Sequence, residues 1–358
     1  MDDRTPLPLI LAHLDLDAFF AAVEELESPE LKSKPLVVGG DPHGRGVVAT
    51  ANYVARQFGI HSAMSCAEAR RRCPHAVFVR PRHKAYSAYS KEVWSAVRQV
   101  APTVERTGLD EGYLDLGEVA RDFNEARTVA EAVQTAVRGA TRLTCSLGVA
   151  TSKVVAKIAS DYRKPGGLVV VLPGREAEFL APFEIRRLPG VGPRAEARLR
   201  AAGIATIGAL ATLGDDQLRQ LLPGKVGGLL RHRARGIDPR GLDMQTQRVS
   251  ISQEETFERD VADVEQLRAE LRRMSVALAE HLVRSGETAR TVTTKVRYPD
   301  FSIRSRSTSL PVGTDDADRI AELACALLDR ALADRPGALR LVGVGLSGLE
   351  EHRQLTLV

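Results

Sequence analysis

The chain lacks paired cysteines. Its four cysteines, Cys66, Cys73, Cys145 and Cys325, are scattered without Cys-x-x-Cys spacing, which argues against a zinc site or a disulfide framework and predicts reduced, structural thiols. No apolar run is long enough to cross a membrane. The first residues, Met1-Asp2-Asp3-Arg4, have neither the basic nor the apolar region of a secretion signal, so a cytoplasmic location and no membrane partner are expected. A strong charge bias is missing too. The formal net charge is +4 over 358 residues, so any surface for a polyanion must arise from how charge is sorted rather than from its total. What remains, 44% hydrophobic and 27% charged residues, is globular in composition, and the length predicts two to four domains rather than one core.

Two acidic patches stand out against this background. His13-Leu14-Asp15-Leu16-Asp17-Ala18-Phe19-Phe20 and Gly108-Leu109-Asp110-Glu111-Gly112-Tyr113-Leu114-Asp115 are short apolar runs interrupted by carboxylates, which read as strands of a buried sheet. On a strand, Asp15 and Asp17 share the face opposite Leu14 and Leu16. If the second strand pairs beside the first, Asp15, Asp110 and Glu111 converge. Three carboxylates at one point repel and resist burial, and a hard divalent cation such as Mg²⁺ is the natural counter-charge. That is the donor set of two-metal phosphoryl transfer. Either patch alone would more often be a solvated strand end or a helix cap.

The rest of the chain divides by pattern. Residues 9–24 predict a strand and then a helix with Phe19, Ala22, Val23 and Leu26 on one face. Val37–Gly40 and Gly46–Thr50 predict a hairpin leading into a helix at Tyr53–Phe58. A helix over 85–100, the acidic hairpin, an amphipathic helix with Ala126, Val129, Ala130, Val133 and Val137, and a strand at Cys145–Val149 then complete a mixed sheet with helices on one side. Residues 183–240 turn helical, glycine-punctuated and basic. Leu188-Pro189-Gly190-Val191-Gly192-Pro193 reads as a helix-hairpin-helix turn, where Gly190 and Gly192 let backbone N–H groups approach a phosphate. A weaker turn at Leu222–Gly227 precedes Arg231, Arg233, Arg235 and Arg240, opposed only by Asp238, a set expected to track phosphates. Residues 249–347 read as strand, helix, two strands, helix, strand. Val292, Thr294, Val296 and Tyr298 fall on one face. Thr293, Lys295 and Arg297 fall on the other, and Arg304, Arg306 and Thr308 are expected to continue that basic face.

Six motifs in order resemble the Y-family DNA polymerases, most closely the bacterial polymerase IV branch, over nearly the whole chain. They are Asp15–Phe20, Ala49–Arg56, Leu109–Asp115, Ser146–Ala150, Lys157–Asp161 running on to Lys164–Gly167, and Leu188–Gly192. The resemblance implies an α+β multidomain right-hand polymerase. Its palm would take residues 1–24 and 82–174, small fingers 25–81, a helix-hairpin-helix thumb 175–240, a linker 241–248, a little finger 249–347 (a four-stranded sheet backed by two helices) and a tail 348–358. It implies template-directed, error-prone addition of deoxynucleotides to a primer 3′ end, translesion synthesis and damage tolerance, with no proofreading exonuclease. Asp15, Asp110, Glu111 and the Leu16 backbone carbonyl would hold two Mg²⁺, with Mn²⁺ a possible substitute, while Asp17 supports from behind. Thr50, Tyr53 and Arg56, spaced to share a helix face, would clamp the triphosphate with Lys164. Phe20 would be the steric gate against a 2′-hydroxyl, with Phe19 beside it. Small residues Ala49, Ala51, Ser62, Ala63 and Met64 would leave the templating pair loosely covered. Gly190, Gly192, Lys295, Arg297, Arg304 and Arg306 would contact DNA. Gln354-Leu355-Thr356-Leu357-Val358 resembles a sliding-clamp-binding peptide through Gln354, Leu355 and Leu357, with Val358 where Phe is frequent. Primer-template DNA, deoxynucleoside triphosphates and a clamp are the partners implied, and a monomer is expected.

The chain departs from the family pattern at Gly108, where Ser is usual, at Gly112, where Ala is usual, and at Ala18, where a larger residue is frequent. Three rivals share some features: a non-catalytic scaffold, a nucleotide cyclase and a template-independent transferase. The intact acidic ligands argue against the first. The hairpin-bearing and basic segments argue against the second, and a test of template dependence separates the third.

Overall fold

The computed structural model describes residues 9–222, 224–244 and 248–351; the expected clamp motif with Gln354, Leu355 and Leu357 lies outside them. The described chain forms two compact units. One contains the residues before 245 except 43–45, and the other contains those three with the residues after 247.

In the first unit a five-stranded sheet is built around the strand Leu11–Leu16, which lies between Glu111–Asp115 and Cys145–Ala150, antiparallel to both. Val104–Arg106 adds to one edge, and Leu168–Val170 adds to the other in parallel. Alternation along the central strand sends Ala12, Leu14 and Leu16 into an apolar core with Tyr86, Trp94, Ala126 and Val133. Two helices supply those partners, His83–Val100 and Phe123–Thr141. The second helix starts where the Asp122 carboxylate accepts from the Asn124 and Glu125 amides, and it buries Ala126, Ala130, Val133 and Val137 at i, i+4 spacing. The helices are not confined to one side as the sequence suggests. Lys153–Tyr162 covers the opposite face, where Ser160 meets His13 and the ammoniums of Lys153 and Lys157 meet Glu105 and Glu111. Its Val154, Val155 and Ile158 join a second core with Leu180 and Leu199.

Leu36–Gly39 and Val48–Ala51 form the expected hairpin, joined by Val77–Val79 in parallel, over a small core of Val37, Ile60, Cys66 and Ala69. Residues 176–234 are helical, with Leu188, Leu199, Leu210 and Leu230 in one core. Arg231 and Arg233 are half-buried, whereas Arg235 and Arg240 are exposed. Arg231 pairs with Asp215, Arg233 and Arg235 donate to the Pro189 and Ala211 carbonyls, and Arg240 pairs with Asp238. Helix C-termini and turns leave carbonyls without partners, and the Arg233 and Arg235 guanidinium groups reach two of them.

The second unit follows the expected order, with sheet strands Ser250–Val261, Glu287–Arg297, Ile303–Thr314 and Leu339–Glu351 and helices Val264–Ser285 and Ala317–Asp334. All three strand pairings are antiparallel. Val292, Thr294, Val296 and Tyr298 are buried under the helices. The register corrects one expectation: Val296 lies opposite Arg304 and Thr294 opposite Arg306, and residues directly opposed share a face. Arg304 and Arg306 therefore belong to the helix-bearing face at the sheet edge, where Arg306 pairs with Asp334. The open face carries Lys295 and Arg297 among small hydroxyls, with Thr291 bonded to Ser309 at 2.8 Å and Thr293 to Ser307 at 2.9 Å.

Candidate active site

Asp15 and Glu111 meet because their strands are neighbours: the register sets Asp15 opposite Glu111 on one side and Ser146 on the other. Asp110 sits in the turn ahead of the strand, and the Leu16 amide donates to its carbonyl at 2.9 Å. The backbone thus brings the three acidic positions to one end of the sheet. Their side chains do not gather on a point. Lys164 Nζ lies 2.7 Å from Asp15 Oδ1, Lys157 Nζ is paired with Glu111 Oε2, and among the described residues no three acidic, histidine or cysteine side chains are grouped to hold one ion. Two ammoniums supply the counter-charge instead.

The electrostatics follow. Burial pushes the Asp15 carboxyl up to about 6 despite Lys164, and burial also raises Asp110. Glu111 is held down at about 2, because the adjoining His13 ring and Lys157 favour its charged form more than burial opposes it. His13 is itself buried, with Nδ1 2.8 Å from Ser160 Oγ and Nε2 3.5 Å from both Glu111 and Lys157. A set of carboxylate oxygens, two of them destabilised in their charged form by burial, fits a hard divalent cation. Asp15, Asp110, Glu111 and the Leu16 carbonyl are the groups that would hold it.

Asp17 does not share the exposed face of Asp15, because the strand ends at Leu16. It is 3% exposed, and its carboxylate accepts from Ser146 Oγ at 2.7 Å and the Gly166 amide at 2.8 Å. These bonds tie the loop carrying Lys164 to the sheet, so Asp17 places the lysine that reaches Asp15.

Of the triphosphate-clamp candidates, Tyr53 and Arg56 share one helical turn, Tyr53–Arg56, capped by Asn52. Thr50 does not share it: it is in the strand Val48–Ala51, so the spacing argument fails there. The Tyr53 hydroxyl is 3.4 Å from Asp17 Oδ1, and its pKa is pushed up to about 12 by burial and that carboxylate. The Arg56 guanidinium lies 4.9 Å from the Tyr53 ring centre and donates to the Ala51 carbonyl. Ala51 and Met64 are core residues, which leaves Ala49, Ser62 and Ala63 as the small residues with exposed surface. Phe19 is buried in the main core, whereas Phe20 is half-buried and stacked on Tyr86 with ring centres 4.1 Å apart.

Gly112 has a steric reason to differ from the usual alanine. A Cβ there would come within 2.7 Å of both Trp94 Cη2 and the Glu105 carbonyl. Gly112→Ala is expected to cost about 1–3 kcal/mol of stability by overpacking. Trp94→Phe, which removes that ring edge, should recover part of the loss in the double variant. Urea titrations of the four proteins measure the coupling, and an unchanged midpoint for Gly112→Ala would contradict the packing.

In the helical segment Gly190 has φ +101°, a left-handed conformation that suits glycine, and Gly192 caps the helix Pro193–Ala201. In the second unit Lys295 pairs with Glu254 at 2.7 Å, while the Arg297 Nε is buried without a partner. Sequence reasoning missed Lys157, His13, Ser160 and Asp161, which holds Lys164 at 2.7 Å. The signal is in the sequence: His13 precedes Asp15 by two on a strand, and Lys157 and Ser160 stand three apart, the spacing of one helix face.

Residues 14–161 match the model of the impB/mucB/samB family, 248–357 match that family's C-terminal domain, and 186–238 match the thumb domain of DNA polymerase-iota. A protein named DNA polymerase IV from Streptomyces coelicolor is 44% identical over 97% of this chain and 72% of its own length. One of the same name from Halorhodospira halophila is 43% identical over 96% of each chain. Among solved structures, a Y-family DNA polymerase chimera is 27% identical, covers 96% of this chain and 100% of its own, and superposes with a TM-score of 0.87. The insertion ternary complex of Dbh DNA polymerase is also 27% identical, covering 95% of this chain and 98% of its own, with a TM-score of 0.68.

Proposed function

The chain belongs to the Y-family of DNA polymerases, and from that premise we propose that Asp15, Asp110 and Glu111 are its catalytic carboxylates. The family activity is template-directed, divalent-metal-dependent addition of deoxynucleotides to a primer, without proofreading, in translesion synthesis. The observation that carries the residue assignment is the pairing of Asp15 with Glu111 on adjacent strands, with Asp110 one residue ahead.

Mg²⁺ is the cation proposed, with Mn²⁺ able to replace it. When bound, the ions would lower the pKa of the primer 3′-hydroxyl and offset charge on the leaving pyrophosphate. The chain's own part is positional. Asp17, through Gly166, holds Lys164 where its ammonium meets Asp15, so that an incoming triphosphate competes for that ammonium. Tyr53 and Arg56 are proposed as further triphosphate donors, Thr50 as a strand-borne one, and Phe20 as the gate. Gly190 and Gly192 would meet DNA phosphates through backbone amides. Lys295 and Arg297 would do so from the open sheet face, and Arg304 and Arg306 from its edge. We propose a monomer working in the cytoplasm.

The decisive test is extension of a labelled primer with single deoxynucleotides while the template base is changed. Incorporation that follows the template supports a polymerase, whereas addition indifferent to it would indicate a terminal transferase. Clamp binding through Gln354, Leu355 and Leu357 has its own test. Removing 354–358 should abolish stimulation by a sliding clamp and leave unstimulated synthesis within about twofold. Undiminished stimulation would rule the motif out.

A further inference from the structure

We infer that Ser90 and Trp94 are positioning residues for the catalytic turn, fixing Asp110 by holding the carbonyl of the residue before it. The inference rests on the reading of Asp110 as a catalytic carboxylate.

The turn between Val104–Arg106 and Glu111–Asp115 has little of its own to hold it. Gly108 and Gly112 flank the acidic pair without side chains, and within the turn the Thr107 and Gly108 amides both lean on the single Glu111 carbonyl at 3.1 Å. The Leu109 carbonyl is held from outside. Ser90 Oγ donates to it at 2.6 Å and Trp94 Nε1 at 3.2 Å. Both donors are buried and stand four residues apart on the helix His83–Val100, so they approach from one face. A carbonyl oxygen has two lone pairs, and here each has a donor.

The direction of the Ser90 proton is set as well. Arg106 Nη2 donates to Ser90 Oγ at 3.1 Å, and its guanidinium lies 5.5 Å from the Trp94 ring centre. With its oxygen accepting from Arg106, the hydroxyl sends its own hydrogen to Leu109. Trp94 is anchored in turn, since its Cη2 edge fills the volume that a side chain at 112 would need. One turn earlier on the same helix face, Tyr86 stacks on Phe20. Tyr86, Ser90 and Trp94 thus form an i, i+4, i+8 stripe, and a single rigid helix carries both the ring beside the proposed sugar site and the turn bearing the proposed metal ligand.

Groups that orient metal ligands commonly change metal affinity or activity by about 10- to 100-fold when removed. Ser90→Ala and Trp94→Phe are each expected to raise the half-saturating Mn²⁺ concentration about threefold and together about tenfold, by the same principle, with the KM for primer-template unchanged. A readout independent of turnover is available because Trp94 is the only tryptophan. Mn²⁺ added to the protein with DNA should change its emission saturably, at higher concentration in Ser90→Ala and not at all in Asp110→Asn. For variants lacking Trp94, Mn²⁺ binding is read by electron paramagnetic resonance. A lower melting temperature in Ser90→Ala/Trp94→Phe with wild-type Mn²⁺ dependence would make the pair merely structural and overturn the inference while Asp110→Asn remains inactive. An active Asp110→Asn would instead sink the reading of the site beneath it.

Discussion

Alanine at Asp110 stops primer extension, lowering the rate by about 10³-fold or more, the equivalent of the several kcal/mol that cation charge supplies in phosphoryl transfer. DNA affinity should stay within about twofold of wild type, because the proposed phosphate contacts at Gly190, Gly192, Lys295 and Arg297 lie in other elements and act through the backbone charge of the duplex. The same substitution should not weaken the fold. Burial pushes the Asp110 carboxyl upward, so its charged form is disfavoured in the native state, and its loss relieves that cost. Glu111→Ala is expected to match the loss of activity but not the stability. It strips Lys157 of its carboxylate partner and leaves the ammonium facing the buried His13 ring, so the melting temperature should fall. Extension assays, fluorescence anisotropy on labelled primer-template and thermal melts of the two variants separate these effects. Near-wild-type extension by either one would overturn the ligand assignment.

The sequence was most legible where one periodicity decided the structure. Alternation places Leu14 and Leu16 in the core and Asp15 outside it, and the strand and helix order of 249–347 follows the pattern of residues along the chain. It was least legible where pairing partners decide. Arg304 and Arg306 alternate correctly along their own strand, but their face depends on the register with 292–296, which the local pattern does not encode. Composition counts the charges of the four thumb arginines but does not show the partners they reach, the Pro189 and Ala211 carbonyls for Arg233 and Arg235 and the Asp215 and Asp238 carboxylates for Arg231 and Arg240. Thr50 failed for a different reason: three-residue spacing implies a shared face only inside a helix, and the helix begins after it. The role of Lys157 appears only when the neighbouring strand is seen to carry Glu111.

Phe20→Leu should raise ribonucleotide incorporation relative to deoxyribonucleotide by about 10- to 100-fold, the 1–3 kcal/mol that one group in a pocket commonly discriminates, while extension with deoxynucleotides stays within a few fold. The size of the effect rests on how little the ring can yield. Phe20 is stacked on Tyr86 at 4.1 Å with the planes 13° apart, and His83 closes its edge at 5.9 Å. Tyr86 is fixed in turn, since its hydroxyl donates to Glu24 at 2.6 Å, and Glu24 is buried beneath a bidentate Arg82. A ring stacked on a tyrosine whose hydroxyl is held by the buried Glu24 cannot swing aside for a 2′-hydroxyl, so rejection is steric and most of it should vanish with the ring. Tyr86→Leu, which keeps Phe20 but removes its backing, should raise ribonucleotide use by less than Phe20→Leu does. Single-nucleotide kinetics with paired ribo- and deoxyribonucleotides measure both. Unchanged discrimination in Phe20→Leu would make Phe20 a packing residue like its neighbour Phe19, and an effect of Tyr86→Leu larger than that of Phe20→Leu would move the gate to the helix His83–Val100.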